Sequence, residues 1–162
     1  MQAAEAKVLS VNISEKRGEK KHNVGKAYLK ANYGIDVDAH AGDWHRQVSL
    51  LSLSSFEKMR NLGADVNYGD FAENITVAGV DVATLPIGTQ IKIGEALMEL
   101  TQIGKECHKG CAIMQQVGTC VMPLEGVFTR VLEGGWVKVG DKVEIKASGT
   151  RDPFVISLPE DS

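Results

Sequence analysis

Ile87-Gly88-Thr89-Gln90-Ile91-Lys92-Ile93, continued through Gly94-Glu95 into Ala96-Leu97-Met98-Glu99-Leu100-Thr101, is the stretch whose reading decides the fold. An apolar residue, a glycine and a polar residue form a turn, and apolar and polar residues then alternate as in a half-buried strand. Neither Gln90–Ile93 nor Ala96–Thr101 reaches the length of a typical helix, and each is bounded by glycine or another turn former. The same pattern returns in Val139-Gly140-Asp141-Lys142-Val143-Glu144-Ile145, which predicts a second, similar hairpin entry. Seven matched residues are far fewer than a solenoid or propeller repeat, so the echo points to the turns of a barrel or sandwich.

Outward from that stretch the chain reads mainly as short strands. Ala6–Glu15 predicts a strand that ends in the charged loop Glu15–Lys21, and Val24–Val37 predicts another. The polar, aperiodic run Asp38–Arg46 reads as a loop presenting His40, Asp43, His45 and Arg46. After the apolar run Val48–Leu53, Ser54 and Glu57 have capping-box spacing. They predict a helix over about 55–62, ended by Gly63. Ile75–Val82, Gly126–Leu132 and Trp136–Lys146 read as further strands, the last two on either side of Gly134-Gly135. Glu106–Val117 is expected to be helical with Gly118 as its stop, and Ala147–Ser162 to fray or wrap the surface.

Composition agrees with one compact domain spanning 1–162, since the chain has 162 residues, 43% of them hydrophobic and 24% charged. Its 17 glycines exceed the usual ~7% share and supply the turns. No apolar run approaches the ~18 residues that span a bilayer, and Met1–Asn12 lacks the basic start and apolar middle of a signal peptide. The chain therefore reads as cytoplasmic. With 18 basic and 21 acidic residues it has no general attraction to nucleic acid or membrane phosphates. Neither partner is expected on charge, and any basic site must be local.

All three cysteines fall within Cys107–Cys120, an odd number that excludes a fully paired disulfide framework. In a helix, Cys107 and Cys111 lie one turn apart on one face, with His108 adjacent. Unpaired amides at the helix start, with Lys105 and Lys109 nearby, stabilise a thiolate, the form that attacks electrophiles and binds soft metals. Cys120, in Thr119–Met122, reads instead as a small buried hydrophobe. A structural zinc site needs four ligands, and the C-x3-C spacing has no matched second pair.

Gly42-Asp43-Trp44-His45-Arg46-Gln47-Val48-Ser49-Leu50 and Gly69-Asp70-Phe71-Ala72-Glu73-Asn74-Ile75-Thr76 open a longer ordered series. Ile87-Gly88-Thr89, Lys105-Glu106-Cys107, Gly126–Val131, Gly134-Gly135 and Gly140-Asp141 complete it. The series resembles the MOSC domain family over about residues 25–146. This is the domain at the C-terminus of molybdenum cofactor sulfurase and in small standalone bacterial proteins. The resemblance implies a mainly β, barrel-like MOSC fold with short helices. It also implies a role in handling molybdenum cofactor (molybdopterin) or its sulfur. A key cysteine would act as sulfur carrier or molybdenum ligand, in a sulfurtransferase-like activity if catalytic. Lys105-Glu106-Cys107 maps that cysteine to Cys107, and a shift of one helical turn selects Cys111. A sulfur donor or acceptor protein is the implied partner, and pyridoxal phosphate binding comes by family association alone.

A pterin cofactor carries a phosphate and a dithiolene, so its pocket needs cationic or amide donors and a soft ligand. Arg46, Lys105 and Arg130 are the candidate anion donors, and Asn74 is a candidate hydrogen-bonding contact. Other readings of the same residues are a cofactor-binding module without bond-breaking and a redox-active dithiol at Cys107 and Cys111. His40, Asp43 and His45 have no recognised zinc spacing, and no second carboxylate is placed beside Glu73 for acid–base work. Gly134-Gly135 lacks the strand–turn–helix setting of a nucleotide loop.

Overall fold

The computed structural model describes residues 6–16, 20–36, 38–39, 41–104 and 125–147. Its first strands are β1 (Lys7–Ile13), β2 (His22–Asn23), β3 (Lys26–Lys30), β4 (Gly34–Ile35) and β5 (Val48–Ser52). Helix α1 (Leu53–Asn61) follows, then β6 (Ile75–Ala78), β7 (Gln90–Ile93) and β8 (Ala96–Ile103). The described chain ends with β9 (Val127–Glu133), β10 (Gly135–Lys138) and β11 (Val143–Ala147).

The two echoed segments form neighbouring strands. β7 and β11 pair antiparallel, with Ile93 opposite Val143, Lys92 opposite Glu144 and Ile91 opposite Ile145. Each is entered through a glycine at φ +94°, Gly88 and Gly140, a conformation that side chains with a Cβ resist. The repeated pattern thus makes two neighbouring strands whose alternation runs in register.

The large sheet runs β11-β7-β8-β9-β5-β6-β1-β2, and a small one runs β10-β3-β4. Its β5–β6 pair is parallel because α1 carries the chain back across the sheet. The sheet curls until the start of β1 meets the residues leading into β11. Val8 N donates to Asp141 O at 2.9 Å, Gly140 N to Val8 O at 2.9 Å and Val143 N to Ala6 O at 2.9 Å. Those contacts involve only the first residues of β1, so the ladder stays open and the fold is barrel-like without being closed.

Inside the curl pack Val11, Leu50, Val77, Ile91, Met98, Leu100 and Val131. A second cluster lies on the outer face beneath α1, with Leu51, Phe56, Met59, Val66, Phe71 and Phe128. Successive strand residues point to opposite faces, so Leu50 and Leu51 serve different cores and every residue of β5 is buried.

Several expected boundaries change. Val24–Val37 is not one strand: Asn32 takes a left-handed φ of +53° and turns β3 back onto β4. Val37 lies outside the described residues. Ile75–Val82 stops at Ala78, because Gly79 turns the chain at φ +87° into a single 3-10 turn over Val82–Thr84. The helix starts earlier, at Leu53, with Ser52 at the N-cap and Ser54 already inside. The Ser54–Glu57 capping box is therefore not formed. Ser52 Oγ makes no cap bond either, since it donates to Val80 O at 2.8 Å and accepts from Val82 N at 2.9 Å. Gly63 ends the helix at φ +99°, as its spacing predicts. The expected helix at Glu106–Val117 and the tail from Ser148 lie outside the described residues.

Gly134 marks the step from one sheet to the other, since β9 pairs with β5 and β8 while β10 pairs with β3. A Cβ on Gly134 would sit 2.5 Å from Leu29 O, a backbone atom that moves only if β3 moves. Gly134→Ala is expected to cost about 1–3 kcal/mol. A calorimetric Tm several degrees below that of the parent chain checks this, and an unchanged Tm contradicts it.

Candidate functional site

Arg46 immediately precedes the Gln47–Val48 entry into β5, and Arg130 lies on the neighbouring strand β9. Ser49 pairs with Phe128 and Val48 with Thr129. Because side chains alternate, Phe128 and Arg130 share the outer face of β9. Arg46 reaches that face too: its guanidinium lies 5.4 Å from the Phe128 ring centroid and 4.7 Å from that of Trp44. The two arginines thus lie on one face of the sheet, although they are far apart in the chain. Arg46 Nε and Arg130 Nε are both buried and have no hydrogen-bond partner among the described residues. A guanidinium N–H removed from water without an acceptor is costly, and an anion is the group that would complete it.

The adjoining edge is tightly organised. Gln102 Nε2 donates to Gly104 O at 2.7 Å, which turns its Oε1 toward His45 Nε2 at 2.7 Å. That amide orientation makes His45 Nε2–H the donor. The Thr101 hydroxyl lies between His45 O and Phe128 O, tying the loop to β8 and β9. Gly104 N donates to Gly126 O at 2.6 Å, and Glu125 is held on α1 by Ser55 Oγ and Lys58 Nζ, each at 2.5 Å. Residues 105–124, with Lys105, Cys107, Cys111 and Cys120, lie outside the described residues. The segment is connected to this same edge at both of its described ends.

Asn74 is fully buried beside β5. Its Oδ1 accepts from Ser49 N at 2.9 Å and Ser49 Oγ at 3.2 Å, and its Nδ2 donates to Asn12 O at 3.1 Å. It joins β1 to β5 through Ser49, the residue opposite Phe128 in the β5–β9 register. His40 is outside the described residues, and no cluster of three His, Cys, Asp or Glu suited to a metal occurs among those described.

Two buried polar clusters have no signal in sequence spacing. In the first, Lys21 Nζ bonds Asp38 Oδ1 at 2.9 Å with both side chains fully buried. Ser14 closes it, its Oγ accepting from Lys21 Nζ at 3.0 Å and its N–H donating to Asp38 Oδ1 at 3.0 Å. This pins the start of the segment that leads to Arg46. In the second, Glu73 Oε2 accepts from Gly69 N at 2.6 Å and Thr76 Oγ1 at 2.8 Å, while Oε1 has no partner among the described residues. Asn12 Nδ2 is bonded to Glu73 O at 3.2 Å, and Asn12 Oδ1 also lacks a donor. Burial pushes the Glu73 carboxyl up to about 7, outweighing the Gly69 and Thr76 bonds that favour its charged form. The sequence signals for the arginine pair are Trp44 next to the Arg46 loop and the alternation of β9. Nothing local marks Phe128 as the ring beside Arg46.

A protein-family model described as the MOSC domain matches residues 36–144. Among curated proteins none matches the chain. The YuaD protein from Bacillus subtilis shares the fold at a TM-score of 0.75 and 18% identity, covering 90% of this chain and 98% of that one. YiiM from Geobacillus stearothermophilus is similar at TM-score 0.65 and 16% identity, with 90% and 77% covered. YiiM from Escherichia coli gives 0.60 and 16%, with 91% and 71% covered. At these identities the likeness extends to the fold alone. No described helix is long and apolar enough to cross a membrane.

Proposed function

The chain belongs to the MOSC domain family, and from that premise we propose that it handles molybdenum cofactor, gripping the pterin phosphate with Arg46 and Arg130. The observation that carries this reading is the pair of buried Nε–H groups, of Arg46 and Arg130, that have no acceptor among the described residues on the face that carries Phe128. Two guanidiniums on one face, that of Arg46 packed on the Trp44 and Phe128 rings, offer N–H donors to a dianion, the chemistry a phosphate monoester requires. When bound, the cofactor supplies a redox-active metal held by a dithiolene. The protein's own part is to bind the anion, orient it and present a thiolate.

Cys107, with Cys111 as its alternate, is the proposed thiolate. Three Cα–Cα steps of about 3.8 Å join Cys107 to Gly104, which limits their separation to about 11 Å. Lys105, beside it in sequence, is the third proposed anion donor. As sulfur carrier the thiolate attacks the outer sulfur of a donor persulfide. A Cys–S bond to that sulfur forms, the donor's S–S bond breaks, and the donor leaves as a thiolate. A sulfur donor or acceptor protein is then the partner.

The test is native mass spectrometry of the full chain from a cofactor-competent host, with elemental analysis for molybdenum. A bound pterin or a persulfide on Cys107 is expected. Arg46→Met combined with Arg130→Met is expected to lower pterin occupancy at least about tenfold at limiting cofactor, since each charged bond contributes about 1.5–3 kcal/mol. Cys107→Ser should abolish the persulfide and leave the arginine-dependent occupancy. A native chain carrying neither mass nor molybdenum overturns the reading, and full occupancy in the double arginine variant overturns the arginine assignment.

A further inference from the structure

The small sheet presents a face that the molybdenum cofactor reading does not use. On β3 the exposed residues are Lys26, Tyr28 and Lys30, alternating with buried Ala27 and Leu29. On β10 they are Trp136 and Lys138, alternating with buried Gly135 and Val137. Antiparallel register sets Trp136 opposite Tyr28 and Lys138 opposite Lys26, so an aromatic pair and a lysine pair occupy neighbouring positions of one face. The two rings meet edge to face with centroids 5.5 Å apart. Lys26 Nζ lies 5.3 Å from the Trp136 centroid. Beyond them Lys30 Nζ lies 5.6 Å from the ring of Tyr33, and Asp36 is its carboxylate neighbour at 3.5 Å.

Two opposed lysines on one face repel each other, which is a cost the fold bears unless an anion bridges them. Neither Lys26 nor Lys138 has an ion-pair partner among the described residues. Trp136 and Tyr28 are 47% and 42% exposed, large values for such rings. We propose that this face binds a short single strand of nucleic acid, with bases stacked on Trp136 and Tyr28 and phosphates neutralised by Lys26, Lys30 and Lys138.

The side-chain set favours that occupant. Stacking on aromatic rings beside a basic track is how single strands are bound without sequence readout. Protein interfaces are depleted in lysine, and the outward positions of β3 and β10 hold no aliphatic side chain to seed an apolar interface or enter a bilayer. The chain's net charge of −3 argues only against attraction over its whole surface. This face is a local exception to it.

Fluorescence anisotropy of a labelled oligouridylate of about 12 nucleotides, titrated with the full chain, tests the assignment. Saturable binding is expected, with log K falling against log salt at a slope of about −2 for three phosphates. Trp136→Ala should weaken it at least about fivefold, the low end of the loss of one stacked base. Lys26→Gln with Lys138→Gln should flatten the slope by about 1.4 while keeping both rings, so the proposal is tested even where Trp136→Ala loosens the sheet. No anisotropy change up to about 100 μM chain overturns it, as does binding indifferent to both variants. Lysine-dependent capture of phosphatidylserine vesicles or polyglutamate without oligonucleotide binding also overturns it, assigning the face to another anion.

Discussion

Lys21→Met is expected to destabilise the protein by about 3–5 kcal/mol, the usual cost of stranding one member of a buried ion pair. Both side chains are fully buried, so Asp38 loses its countercharge without gaining water. Removing the pair together, as Lys21→Met with Asp38→Leu, should recover most of the loss. The Ser14 N–H then loses an acceptor, which keeps the recovery incomplete. Urea unfolding of the two single variants and the double closes the cycle, and a cost below about 1 kcal/mol for Lys21→Met alone would sink the argument. The consequence extends to the site. Ser14 bonds both Asp38 and Ala39, whose N–H donates to Ser14 O at 2.9 Å, and this anchors the segment running on to Trp44 and Arg46.

The second large effect is a dependence of stability on pH centred on Glu73. Its carboxyl ordinarily titrates at 4.5 and is raised to about 7 in the fold, so the fold favours the neutral acid. That contribution is full below about pH 4.5, is lost as pH rises toward 7, and is gone above it. Glu73→Gln keeps a neutral side chain of the same shape, with an amide oxygen to accept from Gly69 N and Thr76 Oγ1. The stability of Glu73→Gln relative to the parent should therefore rise by about 3 kcal/mol between pH 4 and pH 8. Unfolding curves of both proteins at the two pH values measure it. A difference that stays flat with pH would show that Glu73 is ionised throughout, with water or another donor at Oε1.

The legible part of the fold was the part written in short-range pattern. Alternation and turn glycines marked β7, β8, β9 and β11, and even marked β7 and β11 as alike before their pairing could be known. Boundaries failed where a single backbone angle or a distant bond intervened. Asn32 turned an apparent strand into a hairpin, and Val80 and Val82 took the Ser52 hydroxyl from any capping role. The ordered motif series carried the family, because motifs keep their order along the chain whatever their spatial arrangement.

The site was legible as residue types and not as an arrangement. Arg46 and Arg130 could be named as candidate anion donors from their charge and their place in the motif series that resembles the MOSC domain. Their placement on one face depends on β5 lying beside β9, a register set by burying Val48, Leu50 and Val127 in the curl. The clusters at Lys21 and Glu73 were invisible for the same reason: a charge is buried by what the sheet brings over it, not by its sequence neighbours. By itself the sequence determined a mainly β chain of the MOSC type with glycine turns and a cysteine-rich segment, since turns and alternation are local. Only the tertiary structure decided which cations lack partners among the described residues and which carboxyl is pushed toward its neutral form, because desolvation and hydrogen-bond partners come from residues remote in the chain.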